Sequence, residues 1–240
     1  MILNKDKLKK FEKILKIEVK NYELLQQSLI HRSFLNENKR LVEHNERLEF
    51  LGDAVLELIV SEYLFHYYPD RLEGDLTSFR AAVVKTESLA ETATKLKYGD
   101  FIYMSHGEEA TGGRNRPYIL ANTYEAVLGF MYLDQGYIKT KHFVEETLLY
   151  KIPMIVKNRL DIDCKSKLQE LSQQILRLTP TYKLISETGP DHEKIFTLAV
   201  LIGNYKFGQG IGTSKQEAEQ KAASSALKNW ETLMKKYFSK

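Results

Sequence analysis

An acidic and largely apolar helix is encoded by residues 45–53, which read Asn-Glu-Arg-Leu-Glu-Phe-Leu-Gly-Asp. At about 100° per residue, Glu46, Glu49 and Asp53 fall on one side of this helix, with Glu57 a turn further on. Apolar residues fill most of the other positions, so we expect little of the helix to face water. Crowded carboxylates beside apolar surface repel one another, and a divalent cation or protonation would relieve that repulsion. A solvated acidic face is the ordinary alternative.

A second apolar segment offers further oxygen ligands. Residues 119–130 read Ile-Leu-Ala-Asn-Thr-Tyr-Glu-Ala-Val-Leu-Gly-Phe, and in this helix Asn122 and Glu125 stand three apart and share a face. Carboxylate and amide oxygens are the ligands that suit a hard cation such as Mg²⁺. The two helices are therefore expected to build a metal site if they meet, which spacing alone does not establish.

The first two thirds of the chain are predicted to be helical. Apolar positions recur at helical spacing in five segments, separated by polar, glycine or proline residues. The segments are residues 7–35, 45–68, 73–97, 117–134 and 139–157. We therefore expect an all-α domain over residues 1–157, followed by a polar linker at residues 158–163.

The pattern changes after residue 163. A helix is predicted at residues 165–177, and strands are predicted at residues 181–188, 195–202 and 205–210. Gly203-Asn204 has the composition of a tight hairpin turn. Ser214 and Glu217 form a capping-box pattern that opens a last helix with an alanine-rich stripe. Residues 164–234 are thus expected to form a small α+β domain in the order α-β-β-β-α.

Motifs along nearly the whole chain resemble those of the ribonuclease III family. They lie at residues 29–34, 44–56, 73–76, 80–81, 107–109, 111–114 and 119–136. Residues 167–171, 189–192 and 210–215 resemble the motifs of the double-stranded RNA-binding domain. The resemblance implies an all-α endonuclease domain followed by an RNA-binding domain. It also implies an endoribonuclease that cleaves double-stranded RNA in rRNA and mRNA processing and decay.

The resemblance implies roles for the acidic residues. Glu49, Asp53 and Glu125 match carboxylates that bind metal and carry out catalysis, and Glu46 matches an acidic position that acts in hydrolysis near the cut. Glu73 matches a position associated with substrate handling. The expected cofactor is Mg²⁺, with Mn²⁺ as a substitute, and the expected products carry 5′ phosphates and short 3′ overhangs.

Asn122 departs from the family pattern, which most often has aspartate at this position. Its amide oxygen can still bind the metal, but the site loses one negative charge and one group that could take up a proton. This departure leaves open an alternative function, a catalytically impaired protein that retains the ribonuclease III fold and binds double-stranded RNA.

A homodimer is implied because the family cuts the two strands with two sites. Phe50 and Leu51 match positions where family subunits interlock, and ordinary core packing is the alternative for both.

Three surfaces of the terminal domain are candidates for RNA contact. Such a domain recognises the shape of A-form RNA, with side chains reaching 2′-hydroxyls and phosphates. A helix N-terminus with nearby lysines is also a natural phosphate-binding site. The candidate residues are Gln169 and Glu170 on the first helix, Gly189, Pro190 and His192 between strands, and Ser214, Lys215 and Lys221 on the last helix.

Composition narrows the class of protein. The 240 residues are 43% hydrophobic, which allows one or two packed domains, and a single cysteine excludes an internal disulfide framework. The chain has no apolar run long enough for a membrane span and no signal-peptide pattern, so a cytoplasmic protein is expected.

Residues 1–160 carry 23 basic and 23 acidic side chains, whereas residues 161–240 carry 12 and 9. The net charge of +3 thus comes from the last third, which favours a polyanionic partner.

Two further classes of protein compete with the endonuclease. A phosphohydrolase that acts on small nucleotides would use the acidic helices but leave the terminal domain without a function. A purely structural helical protein would explain neither feature.

Overall fold

The computed structural model describes residues 4–38, 43–158, 164–190 and 194–238. The chain folds as two compact units, Met1–Asp161 and Ile162–Lys240. The first unit is helical, and the second combines helices with a three-stranded antiparallel sheet. The predicted fold class, an all-α domain followed by a small α+β domain, is confirmed.

Helices α3 and α7 form the centre of the first unit and pack against each other along much of their length. The helices in its described residues are α1 (Lys5–Leu15), α2 (Tyr22–Ser28), α3 (Glu46–Tyr67), α4 (Glu73–Val84), α5 (Thr86–Lys95), α6 (His106–Ala110), α7 (Pro117–Gln135), α8 (Tyr137–Thr147) and α9 (Ile152–Asn158). Short 3₁₀ turns lie at Arg32–Asn36, Tyr98–Asp100, Gly113–Asn115 and Leu149–Lys151.

Two of the five predicted helical segments are confirmed as single helices, namely residues 45–68 as α3 and residues 117–134 as α7. Residues 7–35 are mostly helical, as predicted, but are divided into α1, α2 and a 3₁₀ turn. The left-handed backbone of Lys16, with φ of 54°, ends α1. A new helix starts where the Asn21 side chain accepts a hydrogen bond from the Leu24 N–H.

Segments 73–97 and 139–157 are also divided. Lys85 has extended backbone, with φ of −61° and ψ of 151°, and it separates α4 from α5. After α8 ends at Thr147, α9 begins at Ile152 and carries Pro153 in its first turn, where the missing N–H breaks no helical bond. Periodicity misses these breaks because the apolar stripe continues across them.

Large aromatic side chains fill the core around α7. Phe11, Tyr98 and Tyr124 are fully buried, and their rings contact one another in series, with centroids 4.8 Å and 6.1 Å apart. The Tyr124 hydroxyl pairs with the Thr147 hydroxyl at 2.9 Å, which ties α7 to α8. Burying each such ring contributes about 2 to 3 kcal/mol. This core holds α7 in a fixed position against its neighbours.

The outer side of α3 differs from expectation. We expected little of this helix to face water, but Phe50 is 81% exposed, Leu58 is 58% exposed and Phe65 is 69% exposed. Leu51 is partly buried and packs against the core of the first unit. The difference arises because α3 is apolar on two sides, and only one of them meets α7. The other side meets α4 only in part, so Phe50, Leu58 and Phe65 stay largely exposed in this single chain.

The second unit has the predicted order α-β-β-β-α, except that the last predicted helix is divided at Asn229 into two helices. Its elements are α10 (Cys164–Leu176), β1 (Thr181–Thr188), β2 (Ile195–Ile202), β3 (Tyr205–Gly212), α11 (Lys215–Lys228) and α12 (Trp230–Phe238). Ile202 pairs with Tyr205 across a two-residue turn in which Gly203 has φ of +59°, as the hairpin signal predicted. Strand β3 continues two residues beyond the predicted end, and α12 continues beyond residue 234.

Close packing joins the sheet to α11. A Cβ on Gly210 would lie 2.2 Å from the Ala218 carbonyl oxygen, so only glycine lets β3 approach the helix this closely. Leu168, Val200 and Phe207 complete the buried cluster. The alanine stripe of α11 is therefore explained mainly by its close contact with β3, and α10 also packs against this helix.

The predicted linker is only partly visible. Asn158 ends α9 and is therefore helical, while residues 159–163 lie outside the described residues. Of the helices in the described part of the chain, none has the length and apolarity needed to cross a membrane.

Candidate active site and RNA-binding surface

Two glycines bring the acidic segments together. A Cβ on Gly52 would lie 1.8 Å from the Glu125 carbonyl oxygen, and a Cβ on Gly129 would lie 2.1 Å from the Leu48 carbonyl oxygen. Helices α3 and α7 therefore touch backbone to backbone, which any larger residue would prevent. Sequence reasoning overlooked both glycines, although an isolated glycine inside an apolar helix is itself a signal, since it costs about 1 kcal/mol relative to alanine.

Glu125 lies on α7 at this crossing, where it faces the acidic side of α3. Burial, together with the charges of Asp53 and Glu49, raises the pKa of its carboxyl to about 8, and burial is the largest cause. At neutral pH without a cation this group is therefore mostly protonated. The environment that surrounds Glu125 opposes a negative charge, and a positive charge nearby would reverse that effect.

The two carboxyl groups from α3 respond in the same direction. Burial is the main cause that raises the pKa of Glu49, with the Glu46 charge second, while a hydrogen bond from the Asn122 side chain opposes the rise. Burial also raises the pKa of Asp53, with help from Glu57. The structure thus brings together Glu49, Asp53, Asn122 and Glu125, hereafter the carboxylate crossing, which the two helical patterns alone did not establish.

The chemistry of this donor set fits a hard cation. Three carboxyl groups whose pKa values are all raised form a site that ionises readily only when positive charge enters. The amide of Asn122 adds a neutral oxygen. Among the residues that the structure describes, no three His, Cys, Asp or Glu side chains already stand in a metal-binding arrangement. The side chains would therefore have to move to surround an ion.

Glu46 and Glu73 lie apart from the crossing in different ways. Glu46 is at its rim, half exposed, with its carboxylate 3.8 Å from the Arg32 guanidinium and 3.9 Å from the His44 ring. Glu73 is on the first turn of α4, accepts a hydrogen bond from the Thr77 hydroxyl, and lines a separate cavity of about 430 Å³. This single chain does not bring Glu73 to the carboxylate crossing.

In the second unit, the start of α11 has the predicted cap. The Ser214 side chain accepts a hydrogen bond from the Glu217 N–H at 3.1 Å. The Glu217 carboxylate reaches back to the N–H and hydroxyl of Thr213, one residue earlier than in the usual capping box. These bonds and the Lys221 ammonium lower the pKa of Glu217 to about 2, with Lys221 the largest cause.

Both predicted phosphate-binding lysines are exposed and have contacts within the chain. The Lys215 ammonium lies 5.8 Å from the centre of the Phe196 ring, and the Lys221 ammonium pairs with Glu217 at 2.7 Å. Exposed contacts of this kind are weak, so either lysine can turn to a phosphate at small cost.

The remaining candidates for RNA contact lie on two other parts of the second unit. Gln169 and Glu170 are exposed on α10. Gly189, with φ of +98°, and Pro190 are exposed at the end of β1. His192 lies outside the described residues.

Comparison with known proteins identifies both units. Residues 21–152 match the family model described as ribonuclease-III-like, and residues 164–229 match the double-stranded RNA binding motif. A ribonuclease 3 from Desulforamulus reducens is 49% identical over 216 residues, which cover 90% of this chain and 88% of the relative. One from Pelotomaculum thermopropionicum is 48% identical over 223 residues, covering 92% of each. The nuclease domain of ribonuclease III from Campylobacter jejuni has a TM-score of 0.56 and 43% identity, covering 62% of this chain and 99% of that one.

A helical catalytic domain joined to a module that binds double-stranded RNA defines the class of nucleases that cut duplex RNA. The chain belongs to the ribonuclease III family and is an endoribonuclease for double-stranded RNA. The resemblance inferred from the motifs is confirmed. The alternative of a catalytically impaired binding protein receives no support from these relatives.

Proposed function

We propose that this endoribonuclease hydrolyses phosphodiester bonds with a divalent cation held by Glu49, Asp53, Asn122 and Glu125. The proposed ion is Mg²⁺, with Mn²⁺ able to replace it. Both ions prefer oxygen ligands, and these four side chains offer carboxylate and amide oxygens. The observation that carries the proposal is the meeting of these four side chains where Gly52 and Gly129 allow α3 and α7 to touch.

The side chains divide the work. Asn122 donates its amide N–H to Glu49 and so orients that carboxylate, and its amide oxygen is proposed as a metal ligand. Glu125 gives up its proton when positive charge arrives, which makes loading of the site depend on pH. When bound, a divalent cation supplies positive charge to the scissile phosphate and lowers the pKa of an attacking water. Glu46, at the rim, is proposed to act near the cut, and Glu73 to handle substrate.

Cleavage breaks the bond from phosphorus to the 3′ oxygen, so the phosphate stays on the 5′ end of the product. Two sites acting on opposite strands of one duplex would leave short 3′ overhangs. The second unit is proposed to hold the duplex through its three exposed surfaces, with Lys215 and Lys221 on phosphates. Gln169 and Glu170 are proposed to contact ribose hydroxyls in one minor groove, and the segment from Gly189 to His192 to enter the next.

A homodimer is proposed to supply the two sites. Phe50, Leu58, Phe65 and Leu72 are 81%, 58%, 69% and 79% exposed, which is unusual for large apolar side chains. A two-fold pairing would bury the same face on both copies. The relative from Campylobacter jejuni has a region described as involved in dimer formation of its nuclease domain. Leu51 is expected to support Phe50 from the core side.

The dimer is tested by replacing Phe50 with glutamate and measuring mass by sedimentation. We expect the parent chain to sediment as a dimer and the Phe50→Glu variant as a monomer, because a charge cannot be buried at the centre of an apolar interface. Tyr150→Glu, at an aromatic residue that is 53% exposed on another part of the domain, is the control and should remain dimeric. A monomeric parent chain would contradict the proposal.

The chemistry is tested with a long RNA duplex, in Mg²⁺, in Mn²⁺ and with a chelator. We expect short duplex products with 5′ phosphates and 3′ overhangs in either metal and no cleavage with chelator. A DNA duplex of the same sequence is the control and should remain intact. Cleavage that persists with chelator would contradict the metal site, and 5′ hydroxyl ends would contradict the direction of bond breaking.

The proposed setting is the cytoplasm, and the proposed substrates are stem structures in rRNA and mRNA precursors. A domain that reads duplex shape tolerates many sequences, so selection among stems rests on their length and regularity.

A further inference from the structure

A cavity of about 480 Å³ opens directly beside the carboxylate crossing. It lies between the 3₁₀ turn Arg32–Asn36, the start of α3 and the start of α7, and Glu49 and Asn122 form part of its lining. Cavities of this volume are in the range that holds small ligands or one part of a larger ligand. A substrate atom at the crossing would therefore have neighbouring atoms inside this cavity.

The lining of the cavity has two walls of unlike chemistry. Glu46, Glu49 and Glu108 form the acidic wall, in which Glu108 is already paired with Arg116, whereas Arg32 and Asn36 on the wall formed by the 3₁₀ turn offer a cation and an amide. The Arg32 side chain is 74% exposed, and the Glu46 carboxylate 3.8 Å away is itself half exposed. An ion pair this open to solvent contributes little, so the guanidinium can exchange Glu46 for another anion.

The wall that carries Arg32 is firmly anchored. The His31 N–H donates to the Tyr103 carbonyl at 2.9 Å, and the Tyr103 N–H donates to the Leu29 carbonyl at 2.8 Å. The Ser33 hydroxyl pairs with His31 Nδ1 at 2.8 Å and accepts the Ser105 N–H at 3.1 Å. Because Nδ1 is engaged, the other ring nitrogen of His31 is the one left to meet a ligand. Because these residues are already held in place, they lose little conformational entropy when a ligand binds.

A polynucleotide matches both walls at once. The scissile phosphate would lie at the crossing with the cation, and the next phosphate along the strand is a free anion that suits a guanidinium. The ribose between the two phosphates carries a 2′-hydroxyl that can donate and accept hydrogen bonds, as imidazole and amide groups can. A small nucleotide would leave one of these groups without a partner.

We propose that this cavity is the subsite for the nucleotide that adjoins the scissile phosphate. Arg32 contacts the neighbouring phosphate, and the wall formed by His31 and Asn36 contacts the ribose hydroxyl of that nucleotide. The assignment rests on the proposed metal site, because that site is what positions the scissile phosphate. The first unit would therefore contact RNA itself, in addition to the contacts proposed for the second unit.

The first experiment removes one charge from the subsite. In the full-length chain, Arg32→Gln should raise KM for a short RNA duplex by about tenfold, the size of one exposed contact to a charged group, and change kcat much less. Lys139→Gln is the control, because it removes one exposed positive charge from α8, away from the cavity. Equal KM values for the two variants would overturn the role of Arg32.

The second experiment removes the charge from the substrate instead. A methylphosphonate, which is uncharged, is placed in turn on either side of the mapped scissile phosphate. At one of these positions it should raise KM for the parent chain by about tenfold and have little further effect on the Arg32→Gln variant. If, at both positions, the increase in KM from the methylphosphonate multiplies the increase from Arg32→Gln, then Arg32 acts independently of both phosphates. That result would overturn the proposed contact.

The third experiment tests the ribose contact. A single 2′-deoxynucleotide between the scissile and neighbouring phosphates should lower kcat/KM several-fold for the parent chain and no further for Asn36→Ala. Asn36 is exposed, so its replacement leaves the fold intact. An unchanged 2′-deoxy penalty in both Asn36→Ala and His31→Ala would overturn this half of the assignment.

A metal titration separates failure of the subsite from failure of the metal site. Mn²⁺ binding, measured by calorimetry without RNA, should be the same for the parent chain and Arg32→Gln. Absence of Mn²⁺ uptake in both would overturn the metal site, whereas normal uptake with an unchanged KM would overturn the subsite alone.

Discussion

Two glutamates show how differently the two units use negative charge. Glu125, at the contact of α3 with α7, has its pKa raised to about 8 by burial. Glu217, at the start of α11, has its pKa lowered to about 2 by Lys221 and by hydrogen bonds from Thr213. The nuclease unit thus holds a carboxyl group that resists ionisation, whereas the RNA-binding unit holds one that is stabilised as an anion. The Glu125 carboxyl is therefore suited to bind a cation, whereas the Glu217 carboxylate stabilises the start of α11.

The largest effect is expected from breaking the helix contact itself. Gly52→Ala places a methyl group 1.8 Å from the Glu125 carbonyl oxygen, so α3 and α7 must separate. We expect a loss of about 3 kcal/mol or more in the free energy of unfolding, measured with urea, and loss of cleavage. Gly74→Ala is the control, because nothing lies within 4 Å of its Cβ position. A fully active, stable Gly52→Ala protein would show that the close contact is not required.

Replacing Glu125 with glutamine removes the charge and keeps the shape. We expect the cleavage rate to fall by about a thousandfold or more, because a ligand that balances the cation is lost. Binding to duplex RNA should change little, since the second unit is untouched. Single-turnover cleavage and a gel-shift titration separate the two quantities, and a parallel loss of binding would contradict this division.

The same variant tests the direction of the Glu125 shift. A raised carboxyl pKa means that the parent chain loses stability as pH rises from about 4.5 to about 8, when the buried group must ionise. In chelator, Glu125→Gln should therefore be the more stable protein above pH 8, by about 2 kcal/mol after allowance for solvent screening. The difference should vanish near pH 4 and shrink when Mg²⁺ is added. Thermal unfolding across this pH range provides the measurement.

A smaller effect is expected at Asn122. Replacing it with aspartate adds a fourth carboxyl group to Glu49, Asp53 and Glu125, which should tighten Mg²⁺ binding by about tenfold at pH 8. The gain should decline at lower pH, because protons then compete for the same carboxyl groups. Calorimetric titration with Mg²⁺ at two pH values checks both statements. Weaker binding by Asn122→Asp would mean that the amide oxygen is the better ligand in this site.

The smallest effect is expected at Glu217. Glu217→Gln should lower the stability of the second unit by about 1 kcal/mol at neutral pH, since the cap loses its charge. A lowered carboxyl pKa gives stability that is present above about pH 4.5 and lost as pH falls towards about 2. The variant and parent should therefore converge at low pH. Glu231→Gln, at an exposed position on α12, is the control and should match the parent throughout.

The sequence predicts the residues of the candidate site better than it predicts how they come together. Periodicity places Glu49 and Asp53 on one side of a helix, and spacing places Asn122 and Glu125 on one side of another. The meeting of the two sides depends on Gly52 and Gly129, whose meaning emerges only when both helices are seen together. A local sequence pattern predicts which residues share a side of one helix. The contact between two helices depends on the residues of both, so the pattern of either one does not predict it.

Two other results mark the limits of local patterns. The exposure of Leu58 and Phe65 was not predicted, because an apolar residue in an apolar helix is indistinguishable, in sequence, from a core residue. The division of residues 73–97 at Lys85 was also missed, because one extended residue leaves the apolar spacing on both sides unchanged. The hairpin at Gly203 was predicted correctly because turn chemistry is local.

The main-chain contact at Gly52 and Gly129 limits how this enzyme can be adjusted. At this crossing no side chain lies between α3 and α7, so a change in their separation cannot be relieved there by repacking. The distance between the acidic groups beside the crossing is therefore set by a main-chain contact. Metal affinity is then free to vary mainly through the identity of the ligands, and asparagine at position 122 is the kind of change that such a scaffold tolerates.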